Sequence, residues 1–448
     1  MKRNIFIALS LTGALLLASA CDDLLEQTPA NYVSDKGVIV DLASAQSALN
    51  GTYHQLGVNA YYGGQYFVAG VNLAGDNVSW TGSLNYYYDF NTHQYGSDNQ
   101  LLSYAWYAIY SVVNQANQVI DKTKSLDNVA AEEKRRIAGE ATVIRSLAFF
   151  DLARTWGNVP LVRQATASPV QFAGVKQSDA QTVYREIVAD VQEVYDGLPD
   201  KADRNRVSKS VADALLARVS LYAEEWEKAE AYASRLIAND DYELVDYPLL
   251  IQEKLTKESV WELSYSTAQT NAQSSYWRSP DSGGRHEWGP SKELVQLLAD
   301  PQKGGTRKVL YTDLSTPQVP DYYVGNLYYR STNDDPVYLF RIAELYLIRA
   351  EARAKKSQPD LAGALEDLNV VRRRAKVGDS PATTLQEVVR AIEEENRVEF
   401  ALESHRWFDL VRTGRAVEVL GIKEYQTLFP IPYSDIEADA DLIQNPNY

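Results

Sequence analysis

The chain has 448 residues, 60 of them acidic and 44 basic, and a formal charge of −16. That balance disfavours nucleic-acid backbones and anionic lipid surfaces as partners. The lone cysteine excludes internal disulfides, so stability has to come from the core.

Residues 1–20 read as an export signal. Lys2 and Arg3 supply the positive start, residues 5–17 are apolar but too short to span a bilayer comfortably, and Ala18, Ser19 and Ala20 precede Cys21. The pattern resembles a bacterial lipoprotein signal. The resemblance implies cleavage before Cys21 and lipidation of its thiol; a plain cut after Ala20 would leave the thiol free. No other apolar run reaches the roughly 18 residues that a membrane helix needs. Residues 21–34 read as an N-terminal tether.

Helical periodicity then runs from 35 to 56. From 59 to 100 the chain is polar and aromatic, with Tyr61, Tyr62, Tyr66, Trp80, Tyr86, Tyr87, Tyr88 and Tyr95 but no sustained period, so loops and short turns are expected. Helices follow over 101–124, 132–156 and 179–198. In the second, Ile137, Ala141, Ile144, Ala148, Leu152 and Trp156 form one apolar stripe. Gly157 and Pro160 stop it.

Segments 212–237 and 343–375 read as one repeated unit. Each has a helix of Ala, Leu and Tyr, a polar break, and a second helix with alanines at close-packing spacing. In the first, Leu215, Val219 and Tyr222 face Trp226, Ala229, Ala233 and Leu236. This is the pattern of tetratricopeptide-like helical hairpins. Between the two units, residues 240–341 lose periodicity except for a strand-like run at 259–265 and a short helix at 291–299. So long an aromatic, irregular stretch marks a functional surface rather than a linker. A last helix is expected over 385–412. There Glu403, Arg406, Asp409 and Arg412 alternate in sign three residues apart, so neighbours can pair.

Five blocks carry a resemblance: GEATVIRSLAFFDLARTWGNVPLV (139–162), the unit at 212–237, ELYLIRAEA (344–352), ENRVEFALESHRWFDLVRTG (395–414) and FPIPYSDIEADADLIQNPNY (429–448). Together, in this order, they resemble the SusD/RagB family, the nutrient-binding outer-membrane lipoproteins of Bacteroidetes. Asp22-Asp23 after Cys21 resembles the export tag that sends such lipoproteins to the cell surface. The resemblance implies a mostly α fold, tetratricopeptide-like hairpins on one side and a large irregular ligand-binding face on the other. It implies a single domain over 35–448, with loop-rich insertions at about 59–100 and 240–340. It also implies a non-catalytic, lipid-anchored cell-surface protein that binds oligosaccharides or polysaccharides and delivers them to a SusC-like TonB-dependent transporter. A peptide-binding member of the same family and a surface glycoside hydrolase with a helical toroid fold are the alternatives.

A sugar needs an aromatic plane for its axial C–H face and Asn, Asp, Gln or Arg groups for its hydroxyl rim. The 30 tyrosines and 8 tryptophans suit such a surface, and equally suit helix packing. Trp106, Trp156, Trp226, Trp261 and Trp407 lie in regular runs and read as core. Trp80, with Asp76 and Asn77 close by, lies in an irregular polar stretch. So do Trp277 and Trp288, with Tyr276, Asp281 and Arg285 close by. These residues, with Tyr86 and Tyr87, are the candidate ligand-binding set, the alternative for each tryptophan being a loop anchor packed on the body; Tyr322 and Tyr323 are weaker members.

No catalytic or metal-binding residue stands out, and no cofactor is implied. His54, His93, His286 and His405 lack metal-ligand spacing, and no nucleophile, phosphate-loop or dinucleotide motif occurs. Glu393, Glu394 and Glu395 read as a solvated helix face, and His405 as a packed or capping residue.

Overall fold

The computed structural model describes residues 39–166, 171, 174–201 and 203–448. The signal, Cys21 and the 21–34 tether lie outside the described residues, as does the start of the 35–56 prediction. Helix α1 (Leu42–Leu56) begins at Asp41, whose carboxylate accepts from the Ser44 amide at 2.8 Å. The Ser44 hydroxyl accepts in turn from the Asp41 amide, completing a reciprocal cap.

The 59–100 stretch is more regular than its sequence suggests. It holds α2 (Phe67–Ala74), strand β1 (Val78–Trp80) and α3 (Asn85–Asn91). All eight residues of α2 are buried, so no polar face creates a readable period. Helix α3, at seven residues, is too short to show one.

Helices α4 (Gln100–Lys124) and α5 (Ala131–Trp156) then pack against each other. Gly157 ends α5 at φ 75°, a conformation that suits glycine. Strand β2 (Val159–Pro160) pairs antiparallel with β3 (Gln177–Ser178). Helix α6 (Ala180–Val194) is capped by Asp179 and tightens into a 3-10 turn at Tyr195–Gly197, short of the expected end at 198.

The first hairpin is α7 (Lys209–Tyr222) and α8 (Trp226–Ile237). After it come α9 (Tyr247–Gln252), β4 (Ser259–Leu263), α10 (Gln273–Trp277), β5 (Trp288–Pro290), α11 (Lys292–Ala299), β6 (Tyr311–Asp313), β7 (Tyr323–Gly325) and β8 (Val337–Arg341). The second hairpin is α12 (Ile342–Lys355) and α13 (Leu361–Arg374). Strands pair antiparallel in twos: β1 with β5, β4 with β8, β6 with β7.

Helix α8 packs on both α7 and α12, and α12 on α13, so the two hairpins stack. Fully buried Ala229, Ala233, Ala350, Ala354 and Ala364 let the helices approach closely. A buried Arg218–Glu344 pair at 2.6 Å ties the first hairpin to the second. The fold is therefore mostly α, with tetratricopeptide-like hairpins and a loop-rich remainder.

The expected single helix over 385–412 is two: α14 (Leu385–Glu399) and α15 (Arg406–Arg412). The chain turns between them, with Ser404 at φ 63°. The break redirects the alternating charges. Only Asp409 and Arg412 pair as expected, at 2.9 Å. Arg406 reaches Asp76 at 2.6 Å, and Glu403 reaches Arg341 at 2.6 Å. Short helices α16 (Ala416–Leu420) and α17 (Tyr433–Ala438) follow.

Beneath α14 lies a buried ion network. Arg307 pairs with Glu395 and, at 2.7 Å, with Glu399. Arg341 pairs with Glu258, Glu399 and Glu403 at 2.5–2.9 Å. Arg374 pairs with Glu258 at 2.7 Å and with Glu399. Burial pushes the Glu399 carboxyl up, but Arg374, Arg307 and Arg341 outweigh it and hold the group at about 2. Glu403 is raised by burial, against the pull of Arg341. Glu395 is thus a core residue, not part of a solvated face; of the three neighbouring glutamates only Glu394 is exposed.

His405 stacks on Phe400 at 4.5 Å and stays neutral, because burial and then Arg218 and Arg154 push its pKa well below the usual value. Trp106, Trp156, Trp261 and Trp407 are buried as expected, whereas Trp226 is half-buried beneath Lys355.

Candidate functional site

Two layers of aromatic rings meet where α2, α3, α4 and α10 converge. The inner layer is an anchor. Trp288 stacks on Tyr276 at 4.8 Å and 7°, while Tyr87 meets Trp288 edge-on at 5.0 Å. Trp277 meets Trp288 edge-on at 6.2 Å. Gly325 makes room for Trp277, since a Cβ there would fall 2.5 Å from the indole. The Tyr87 hydroxyl donates to the Gln65 carbonyl at 2.8 Å.

These rings correct the sequence expectation. Trp277 and Trp288 stood as ligand platforms or as loop anchors packed on the body; at 0% and 1% exposed they are anchors. Tyr87 and Tyr276 are buried as well. The irregular sequence around Trp288 conceals a strand: β5 pairs with β1 and sets Trp288 opposite Trp80. Long-range pairing of this kind leaves no local signal.

Asp76 and Asn77 are also diverted into the scaffold. Asp76 pairs with Arg397 at 3.0 Å and with Arg406 at 2.6 Å. Asn77 donates to the Arg397 and Ala401 carbonyls and accepts from the Arg397 guanidinium at 2.9 Å. Both pin β1 to the end of α14.

The outer layer is open. Tyr66 and Tyr104 lie 4.6 Å apart with rings tilted by 38°. Tyr104 is 50% exposed, and Tyr86 is half-buried against Tyr87 at 4.5 Å. Burial raises the pKa of the Tyr66 phenol, and Tyr86, Tyr104 and Tyr276 raise it further, which marks the four as one cluster. Burial likewise raises Tyr86, whose neighbours include Tyr276, Glu287 and Arg285. The exposed Arg285 lies over the Tyr276 ring at 5.3 Å and is oriented by Glu287 at 2.9 Å.

Two smaller patches hold the remaining candidates. Half-buried Trp80 meets exposed Tyr88 at 5.1 Å. Tyr86 and Tyr88 are two apart on α3, so they face different ways. Exposed Asp281 lies near Tyr322 and helps raise its phenol, after burial. The Tyr322 ring packs edge-on against His286, whose Nε2 lies 2.9 Å from the Tyr323 carbonyl. Among the described residues, no group of three or more His, Cys, Asp and Glu is placed to hold a metal ion.

Sequence reasoning did not single out Tyr66 or Tyr104 as ligand residues. The signal existed for Tyr104: with Tyr107 it occupies the exposed face of α4, where charged residues are the norm.

A family model described as "SusD family" matches residues 311–427, and one described as "Starch-binding associating with outer membrane" matches residues 25–221. The chain belongs to the SusD/RagB family. SusD-like protein P2 of Formosa agariphila is 26% identical, covering 97% of this chain and 98% of the relative. The starch-binding protein SusD of Bacteroides thetaiotaomicron is 34% identical over 129 residues, 26% of this chain and 22% of that protein. Among solved structures, a laminarin-binding SusD-like protein superposes with a TM-score of 0.80 at 25% identity, covering 91% of this chain and 99% of that one.

Proposed function

We propose that this SusD/RagB member is a non-catalytic glycan-binding lipoprotein of the outer-membrane surface, which captures oligosaccharides and delivers them to a SusC-like TonB-dependent transporter. The observation that carries the reading is the open cluster of Tyr66, Tyr86 and Tyr104, backed by buried Tyr276 and beside Arg285. Phenol rings offer faces to axial C–H groups, and their hydroxyls with the guanidinium offer partners to a sugar rim. The tilt between Tyr66 and Tyr104 suits a curved glycan chain better than a flat one. Relatives described as laminarin-binding and starch-binding support glucans as the first ligands to try.

Residues 35–448 act in this reading as a single domain, with Cys21 as the lipid-bearing N-terminus. Anchoring raises the effective concentration of the binder at its transporter, so a modest interface suffices. Replacing Cys21 by Ser should release the protein from the membrane fraction, and a pull-down from outer membranes should recover a SusC-like protein.

The direct test is electrophoresis through gels cast with laminarin or starch. Retardation of the protein is the expected result. Unretarded migration in both, and in a panel of plant and host glycans, contradicts the glycan reading. New reducing ends after incubation with a retarding glycan would contradict its non-catalytic part.

A further inference from the structure

A second site is built on the opposite chemistry. A cavity of about 630 Å³ opens between α5 and the loop that precedes α7. Arg136, Lys201, Arg204 and Arg206 line it, against the two carboxylates of Glu140 and Asp203, in a chain of formal charge −16. A local excess of cations in an acidic protein draws anions to that point.

The charges are not equally committed. Glu140 is fully engaged, by Arg136 at 2.6 Å, by Arg206 at 3.3 Å and by the Tyr53 hydroxyl at 2.7 Å. Arg136 also pairs with Glu133 at 2.7 Å. Asp203 accepts from the Asn205 amide at 3.1 Å. Arg204, by contrast, makes no ion pair among the described residues. Its Nε donates to the Thr256 carbonyl at 2.6 Å and one Nη to the Asp241 carbonyl at 2.7 Å. Two neutral acceptors fix the guanidinium plane beside the Tyr242 ring at 5.4 Å, with no carboxylate in ion-pair contact among the described residues. Exposed Lys201 likewise makes no ion pair among the described residues.

The cavity also has an apolar wall. Leu255 lines it, is 42% exposed, and sits at φ 56°. A branched side chain in the left-handed region persists only where its surroundings impose it, and such positions cluster at ligand sites. Here the Leu255 amide donates to buried Glu262 at 2.9 Å, which holds the strained conformation.

We propose that this cavity binds an oxyanion carried on a sugar ring, a uronate carboxylate or a sulfate ester. Arg204 takes the oxyanion on the Nη donors that Thr256 and Asp241 leave free, Lys201 adds a mobile charge, and Leu255 covers the apolar ring face. The volume lies in the range of small-ligand sites. The sugar carrier rests on the glycan-binding reading above; the anion preference does not.

The test is calorimetric titration of the mature protein with glucuronate, a glucose sulfate ester, glucose and inorganic sulfate. At least one acidic sugar should bind about tenfold or more tightly than glucose, with affinity falling as salt rises. Whichever acidic sugar binds identifies the carrier. Lys201→Gln, at an exposed residue, should weaken that binding about threefold without moving the melting temperature, and Arg204→Gln about tenfold. Loss of acidic-sugar binding in Tyr104→Ala, with parental affinity in Lys201→Gln and Arg204→Gln, would place the anion at the tyrosine cluster and overturn the proposal. Acidic sugars that bind no better than glucose would overturn the proposal, as would parental affinity in both variants. Inorganic sulfate binding more tightly than either acidic sugar would overturn the sugar assignment.

Discussion

Around Glu399, three arginines and four glutamates pair with one another, their side chains no more than 5% exposed. Around Tyr66, three phenols converge open to water over the buried Tyr276. The first region binds α13, α14, β4 and β8 into one body; the second covers an aromatic anchor and faces outward. A buried ion can lose no partner without leaving a charge stranded, whereas a half-exposed phenol can lose its ring and leave only water behind. Stability and ligand binding should therefore separate by mutation, and each prediction below tries to break that separation.

The largest effect is expected at the ion network. Glu399→Ala leaves Arg307, Arg341 and Arg374 short of a shared partner and should cost about 5 kcal/mol, read by chemical denaturation. Whatever fraction stays folded should bind glycan normally. Next comes the anchor. Trp288→Ala removes the ring stacked on Tyr276 and should cost about 4 kcal/mol, and here binding should fall as well, because Tyr276 supports the outer cluster.

Acid should act on the scaffold before it acts on the site. Glu399 and Glu351 are each held at about 2: burial raises them, but Arg374 and its neighbours outweigh it for Glu399, and Arg412 and Lys355 for Glu351. A carboxylate with a depressed folded pKa stabilises fully above its unfolded value, and that contribution is lost as pH falls through the folded value. The loss should run from the ordinary value of 4.5 down to about 2. Glu403, raised by burial, works in the opposite sense and makes the loss shallower. Melting temperatures measured between neutral pH and about pH 3 should show an acid limb, and Glu399→Gln should flatten it. The smallest effect is expected from Tyr66→Phe. It keeps the ring and removes one hydroxyl, so glycan binding should weaken by about 1 kcal/mol with no change in melting.

The two regions also differed in how far the sequence disclosed them. The hairpins were legible because their alanines and leucines recur at helical spacing: Ala229, Ala233 and Leu236 are all buried where the period places them. The ion network was half legible. The charges of 403–412 stood out, but their partners Asp76, Arg341 and Glu351 come from distant segments, and the break at Ser404 decided which could meet.

The site was least legible. Trp277 and Trp288 stood in a polar run that looked exposed, yet the pairing of β5 with β1 and the stack on Tyr276 bury them. The tyrosines that remain open, Tyr66 and Tyr104, come from a buried-helix entrance and from an amphipathic helix; nothing local connects them. Burial of a ring depends on contacts far apart in sequence, and periodicity reports only neighbours.

The account turns on the tyrosine cluster carrying the binding without carrying the fold. The decisive measurement is a calorimetric titration of a retarding glucan into the Tyr66→Ala/Tyr104→Ala double variant, alongside its thermal melt. The account predicts an unchanged melt and affinity reduced about tenfold or more, the loss of two stacking rings. Parental affinity in a normally melting double variant would contradict it and would move the site to the Trp80–Tyr88 patch.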